Sequence, residues 1–320
     1  MNTQPQTLLG AVRYFSNPDV CQDFMVSLRW PDGKVACPNC GRDDVRYIAT
    51  RRLWECKDKH AKRQFSVKVG TIFEDSPIAL DKWLATIWLI ANAKNGVSSY
   101  EIHRSIGVTQ KTAWFMLHRI RLAMQSESFD KIDGEVEVDE TFIGGKARFM
   151  HKSRLQRHRA RSWGSLLNKT AVIGLLERHG PDGHSTIRTN VIRTNRRSNV
   201  GPIVRKNIAA GSEVFTDALP SYSDLADSYT HSVIDHAEAY VDGRIHTNGI
   251  ENFWSLLKRA IKGTYVSVEP FHLFRYLDEQ AFRFNSRKAL DGDRFERVTG
   301  SIVGKRLTYQ QLIGSSTRPA

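Results

Sequence analysis

Cysteine is scarce in this chain: four residues in 320, all within the first 56. Their clustering fits a local metal site in a reducing compartment better than a disulfide framework. Long apolar runs are also missing. The most apolar stretch, Trp83 to Ala93, is bracketed by Lys82 and Lys94 and is too short to span a bilayer, so no membrane partner is expected. The N-terminus has no basic region followed by an apolar core, so no secretory signal is read there. No internal repeat or low-complexity tract is visible. Acids are in deficit, with 34 Asp and Glu against 47 Lys and Arg, a net charge of +13 and a pI near 9.7. The deficit is sharpest at 146–162, which holds seven Lys or Arg and no acid. Such a balance points to a polyanionic partner, most simply nucleic acid, while the cysteine usage and the missing secretory signal read as an intracellular, cytoplasmic protein.

The cysteines form a pattern. Cys37, Cys40, Cys56 and His60 follow C-x2-C-x15-C-x3-H. A C-x2-C pair on a turn lets two thiolates meet one ion, and the later pair returns across a hairpin to close a tetrahedron. One structural Zn²⁺ is expected. His60 is the expected fourth ligand, with Cys21 as the competitor. Tyr47, Leu53, Trp54, Phe65 and Val67 read as the strand residues around the site, and Lys57, Lys59, Lys62 and Arg63 make it basic.

Residues 71–130 read as helices. Ser98 and Glu101 form a capping-box pair, Gly107 sits in a turn, and Thr109 caps the next helix. The pair resembles a helix-turn-helix, with Gln110, Lys111 and Thr112 where base edges are met, and His118, Arg119 and Arg121 in reach of phosphates.

From residue 131 the texture turns to β. Val136–Ile143, Lys169–Leu176 and Ser185–Ile192 read as strands, Ser198–Ala210 as a helix, and Val214–Asp217 and His231–Asp235 as two more strands. An amphipathic helix over 246–262 and another over Pro270–Arg283 close the chain's main pattern. Three antiparallel-looking strands, a helix, two strands and closing helices give the order of an RNase H-like fold. The expected architecture is therefore α/β: an RNase H-like mixed sheet flanked by helices, preceded by a small zinc ribbon and a helix-turn-helix-like domain. The expected boundaries are 1–68 for the ribbon, 69–130 for the helices, 131–290 for the sheet domain, and 291–320 for a C-terminal tail.

Three acids stand out. Asp139 lies mid-strand just after Val136 and Val138, where a carboxylate is unfavourable unless something pairs it. Alternation puts Glu137 on the face of Asp139 and Glu140 on the other. Asp217 ends a strand, and Glu251 follows it by 34 residues on the 246–262 helix. Three carboxylates suffice to hold two hard divalent ions for phosphoryl transfer. Glu251 has a second reading: with Asn248 as N-cap it sits at N3 of a capping box.

The runs Val-Asp-Glu-Thr-Phe-Ile-Gly-Gly-Lys (138–146), Phe-Thr-Asp-Ala-Leu-Pro-Ser-Tyr (215–222) and His-Thr-Asn-Gly-Ile-Glu-Asn-Phe-Trp-Ser-Leu-Leu-Lys-Arg (246–259) resemble the bacterial insertion-sequence transposases of the ISXO2-like group. The segments 276–279 and 282–287 fit the same group, and the likeness covers nearly the whole chain. The resemblance implies a zinc ribbon ahead of a DDE-type core, with Asp139, Asp217 and Glu251 as catalytic acids and Lys258 seven residues after the glutamate. Asn248 is the alternative occupant of the third acidic place. It also implies two Mg²⁺ (or Mn²⁺) per site and no small-molecule cofactor. The expected partners are transposon ends and target DNA, bound by a homo-oligomer on the nucleoid.

Overall fold

The computed structural model describes residues 5–125, 130–145, 152–153, 156, 169–180, 183–217, 220–222, 224–234 and 246–314. Most of the basic stretch 146–162 lies outside the described residues. The chain divides into two compact units, residues 1–125 with 288–320, and residues 126–287.

The first unit begins with two helices, α1 (Leu8–Tyr14) and α2 (Pro18–Arg29), capped by Thr7 and Asn17. A three-stranded antiparallel ribbon follows, β1 (Val45–Ile48), β2 (Leu53–Cys56) and β3 (Gln64–Phe65). Then come α3 (Leu80–Asn92), α4 (Ser99–Ile106) and α5 (Gln110–Ala123). The Ser98–Glu101 capping box forms, and Gly107 ends α4 at φ +63°, a left-handed turn that glycine adopts without a Cβ penalty.

The same unit takes back the last part of the chain. Phe295 packs against Phe15, Phe24 and Trp88, with ring centroids 5.6, 5.8 and 5.2 Å away. The sequence reading treats 291–320 as a tail. Instead Asp291–Gly300 is a helix whose Phe295 and Val298 are buried in this core.

The second unit carries a five-stranded sheet built from β4 (Glu135–Ile143), β5 (Thr170–Glu177), β6 (Thr186–Ile192), β7 (Glu213–Asp217) and β8 (Thr230–Ile234). The spatial order is β6-β5-β4-β7-β8. The first three strands pair antiparallel, while β4–β7 and β7–β8 are parallel. A parallel pair needs a crossover, which α6 (Arg197–Asn207) supplies between β6 and β7. This is the expected RNase H-like mixed sheet.

Strand alternation splits the hydrophobic core in two. Val136, Val138, Ile173 and Leu175 face α6 with Val200 and Val204. Val172 and Leu176 face the opposite layer, made of α7 (Asn248–Ala260) and α8 (Leu273–Asn285) through Ile250, Phe253, Trp254, Leu257, Leu273 and Leu277. Apolar residues on both faces of β5 follow from this double covering. Among the described residues no helix is long and apolar enough to cross a membrane.

Candidate active site

Asp139 and Asp217 come together through strand register. The β4–β7 ladder pairs Glu137 with Phe215. Two residues further along each parallel strand stand Asp139 and Asp217, on neighbouring strands where the ladder has ended. Both lie at the carboxyl end of β7, where an open sheet leaves a crevice.

Helix α7 brings Glu251 to the same sheet face. Two close approaches set its height. Gly174 on β5 pairs with Asp139, and a Cβ there would sit 2.7 Å from Trp254 and 2.8 Å from Ile250. The helix therefore rests directly on backbone. Trp254 also donates its indole N–H to Asp139 Oδ2 at 2.9 Å. Glu251, Ser255 and Lys258 share the exposed stripe of this helix.

The electrostatics reflect this arrangement. Burial, then the neighbouring charge of Asp217 and more weakly Glu251, pushes the Asp139 carboxyl up to about 6, against the hydrogen bonds from Trp254 and from the Glu140 N–H. Glu140, on the other face, is pushed up to about 7 by burial and by Asp139 and Asp217, despite the Tyr222 hydroxyl aimed at it. Both Glu140 oxygens and the Tyr222 hydroxyl are buried without a full hydrogen bond. Carboxylates that oppose one another's ionisation are a donor set suited to a hard divalent cation. The three acids are not drawn as tightly as metal ligands in a filled site: among the described residues only Cys37, Cys40, Cys56 and His60 bring their ligand atoms within 4.8 Å of one another.

The capping box expected at Asn248 and Glu251 is not formed. Thr247 is the N-cap and makes no side-chain cap bond, so Asn248 is the exposed first helical residue and Glu251 falls beyond N3. Thr247 instead offers its hydroxyl to Glu251 Oε1 at 3.4 Å. The acceptor for the helix start comes from the sheet: the Ile250 N–H donates to Glu137 Oε2 at 2.8 Å. Glu137 is buried and paired with Arg178 at 2.8 Å. Arg178 had no place in the sequence reading. A strand glycine in the interior of β5 was the available sign of close packing at Gly174.

In the ribbon, Cys37 Sγ lies 3.5 Å from His60 Nε2, and Cys40 Sγ lies 3.6 Å from Cys56 Sγ. A tetrahedron with Zn–S of about 2.3 Å and Zn–N of about 2.05 Å has edges of about 3.8 Å for S–S and about 3.6 Å for S–N. The four donors fit. His60 Nδ1 lies 2.7 Å from the Ala61 carbonyl, which fixes the tautomer and leaves Nε2 for the ion. Cys37 is held down to about 7: burial opposes its thiolate, but the N–H groups of Asn39 and Cys40 outweigh that cost. Cys21, the competitor for the fourth place, is elsewhere. It is buried in α2, donates to the Phe15 carbonyl, and is pushed up to about 11 by burial.

The helical pair needs correction. Arg119 is buried and donates to the carbonyls of Leu307, Ile72 and Glu74 at 3.1, 3.0 and 2.7 Å. Arg121 and His118 are buried as well. A guanidinium spent on three carbonyls inside the fold does not face a phosphate. At the start of α5, Lys111 is exposed, with its ammonium 4.7 Å from the centre of the Tyr309 ring. Thr112 bonds Thr109, and Gln110 bonds Ser99 across the turn.

Known proteins align with both units. The profile of an ISXO2-like transposase domain matches residues 131–285, and that of a transposase zinc-ribbon domain matches residues 16–60. An uncharacterized protein in transposable element ISH50 of Halobacterium salinarum is 23% identical over 257 residues, covering 78% of this chain and 84% of that protein. An uncharacterized transposase-like protein of Haemophilus influenzae is 30% identical over 120 residues, 37% of this chain and 97% of its own length. With the ribbon, the mixed sheet and these matches in register, the chain belongs to the ISXO2-like family of insertion-sequence transposases.

Proposed function

We propose that the protein binds the terminal repeats of an insertion sequence, nicks the transposon ends, and transfers each freed 3′-OH to target DNA. The observation that carries this reading is the convergence of Asp139 and Asp217 on neighbouring strands beneath a helix bearing Glu251, with the Asp139 carboxyl pushed up by burial, then by Asp217 and more weakly by Glu251. Asp139, Asp217 and Glu251 are the residues that would hold two Mg²⁺ or Mn²⁺. Such ions supply Lewis-acid charge to phosphoryl oxygens and lower the pKa of attacking water. Lys258, exposed two turns below Glu251, is suited to a phosphate beside the scissile bond. Trp254 holds the orientation of the Asp139 carboxylate through its indole N–H.

In this reading residues 131–290 form the catalytic domain, and the zinc ribbon and the α4–α5 pair form the end-binding modules. Exposed Lys57, Lys59, Lys62 and Arg63 give the ribbon its charge, and Lys111 marks the exposed start of α5. Cutting and joining two ends calls for at least a dimer on DNA.

The test uses a labelled transposon end, a target plasmid and Mg²⁺. Transfer of the label into the plasmid is expected, whereas a simple nuclease yields cut product alone. Asp139→Asn and Asp217→Asn are expected to abolish cleavage while end binding persists. Cleavage lost in Asn248→Ala but kept in Glu251→Gln would move the third ligand from Glu251 to Asn248.

A further inference from the structure

We propose that Glu137 and Arg178 act as a positioning clamp that fixes where the Glu251 helix begins, and so how far Glu251 stands from Asp139. The inference rests on the acidic-site reading above.

A helix N-terminus leaves its first N–H groups without intrahelical partners. Thr247 gives α7 no side-chain cap, and Asn248 is exposed. The acceptor for Ile250, the residue just before Glu251, comes from 113 positions earlier in the chain, as Glu137 Oε2 at 2.8 Å. A carboxylate there also complements the positive end of the helix dipole. Gly249 permits the approach, since a Cβ on it would lie 3.0 Å from the same oxygen.

Glu137 does not move freely. Its other oxygen accepts from Arg178 Nε at 2.8 Å, and only 1% of the glutamate side chain is exposed. Arg178 also reaches Glu135 at 3.3 Å, stacks 4.0 Å over the Phe215 ring, and donates to the His246 ring at 2.9 Å and to the His246 carbonyl. One guanidinium thus ties the strand to the segment entering the helix. Glu137 and Asp139 are two residues apart on one face of β4, a fixed step of about 6.8 Å. Strand β4 therefore carries one acid of the site and the anchor of another.

The test compares Glu137→Gln and Arg178→Lys with the parent protein, since both variants keep a hydrogen-bonding group of similar size. Three quantities are read: amide exchange at Ile250 and Glu251, Mn²⁺ affinity by calorimetry, and the Mg²⁺ concentration giving half-maximal cleavage of an end. A clamp predicts exchange faster by about 10-fold at these two amides, and a weakening of metal affinity of about 10-fold or more, as for other groups that orient metal ligands. Excess Mg²⁺ restores cleavage in these variants, whereas Glu251→Gln stays inactive at every concentration. Unchanged exchange together with unchanged metal dependence overturns the clamp, even where the melting temperature drops. If the parent protein binds no Mn²⁺, the acidic-site reading fails instead, and the exchange arm still decides whether Glu137 and Arg178 hold the helix.

Discussion

Gly174→Ala is the sharpest single probe of how this site is assembled. The added methyl would meet Trp254 at 2.7 and 2.9 Å and Ile250 at 2.8 Å. Carbon atoms pack at about 3.5–4.0 Å, so α7 must retreat by nearly 1 Å or Trp254 must rotate. Both side chains are buried, which leaves no free volume to absorb the change. Overpacking of this kind costs about 1–3 kcal/mol. If Trp254 rotates, its bond to the Asp139 carboxylate is lost as well, adding about 1.5–3 kcal/mol. Removing a strand glycine returns about 0.4–1 kcal/mol through the unfolded chain. The net expectation is a loss of about 2–5 kcal/mol, which for a domain of roughly 150–250 residues lowers the melting temperature by about 4–20 °C. Thermal unfolding followed by circular dichroism reads the first effect. Metal-dependent nicking of an end reads the second, and it should fall further than stability alone explains, because the Glu251 helix has shifted. A Gly174→Ala protein with unchanged melting and full nicking would refute the view that α7 rests on this backbone.

Other consequences are equally open to measurement. The purified protein should hold one zinc per chain, lost in Cys56→Ser and retained in Cys21→Ser; zinc loss in the latter would remove His60 from the ligand set. The metal-free protein should lose stability as pH rises from about 4 to 7. Asp139 and Glu140, raised to about 6 and about 7, bind more protons folded than unfolded in that window, at up to about 1.4 kcal/mol per pH unit for each. Asp139→Asn with Glu140→Gln should flatten the profile, and a slope unchanged by the pair would place its origin elsewhere. Arg119→Met should destabilise the first unit while leaving the salt dependence of DNA binding intact, and Lys111→Ala should do the reverse; a weaker salt slope in Arg119→Met would mean that this guanidinium meets phosphate after all.

Much of the site was legible because the relevant signals are local. Val136 and Val138, just before Asp139, mark a strand, its alternation puts Glu137 and Asp139 on one face, and the cysteine spacing dictates a ribbon. What escaped was long-range. The acceptor for the α7 start is Glu137, 113 residues away, so the nearby Asn248 looked like the cap. Arg119 and Arg121 fall in a basic helix segment, and periodicity does not reveal that Arg119 turns back to carbonyls at 72, 74 and 307. The closing helix was missed because Phe295 and Val298 are too few to define an amphipathic pattern in isolation; their burial depends on aromatic partners near residue 20 and at Trp88.

That returning helix has a consequence for the order in which the molecule is made. Synthesis proceeds from the N-terminus, and domains generally fold as they emerge. The sheet unit, residues 126–287, is contiguous and has all its strands once its last residue clears the ribosome. The first unit must wait for Phe295 to fill the space between Phe15, Phe24 and Trp88. The part that starts the chain is thus the last to be finished. A transcript cut short after the sheet unit would yield that unit with all its strands, attached to an N-terminal unit whose aromatic core lacks Phe295.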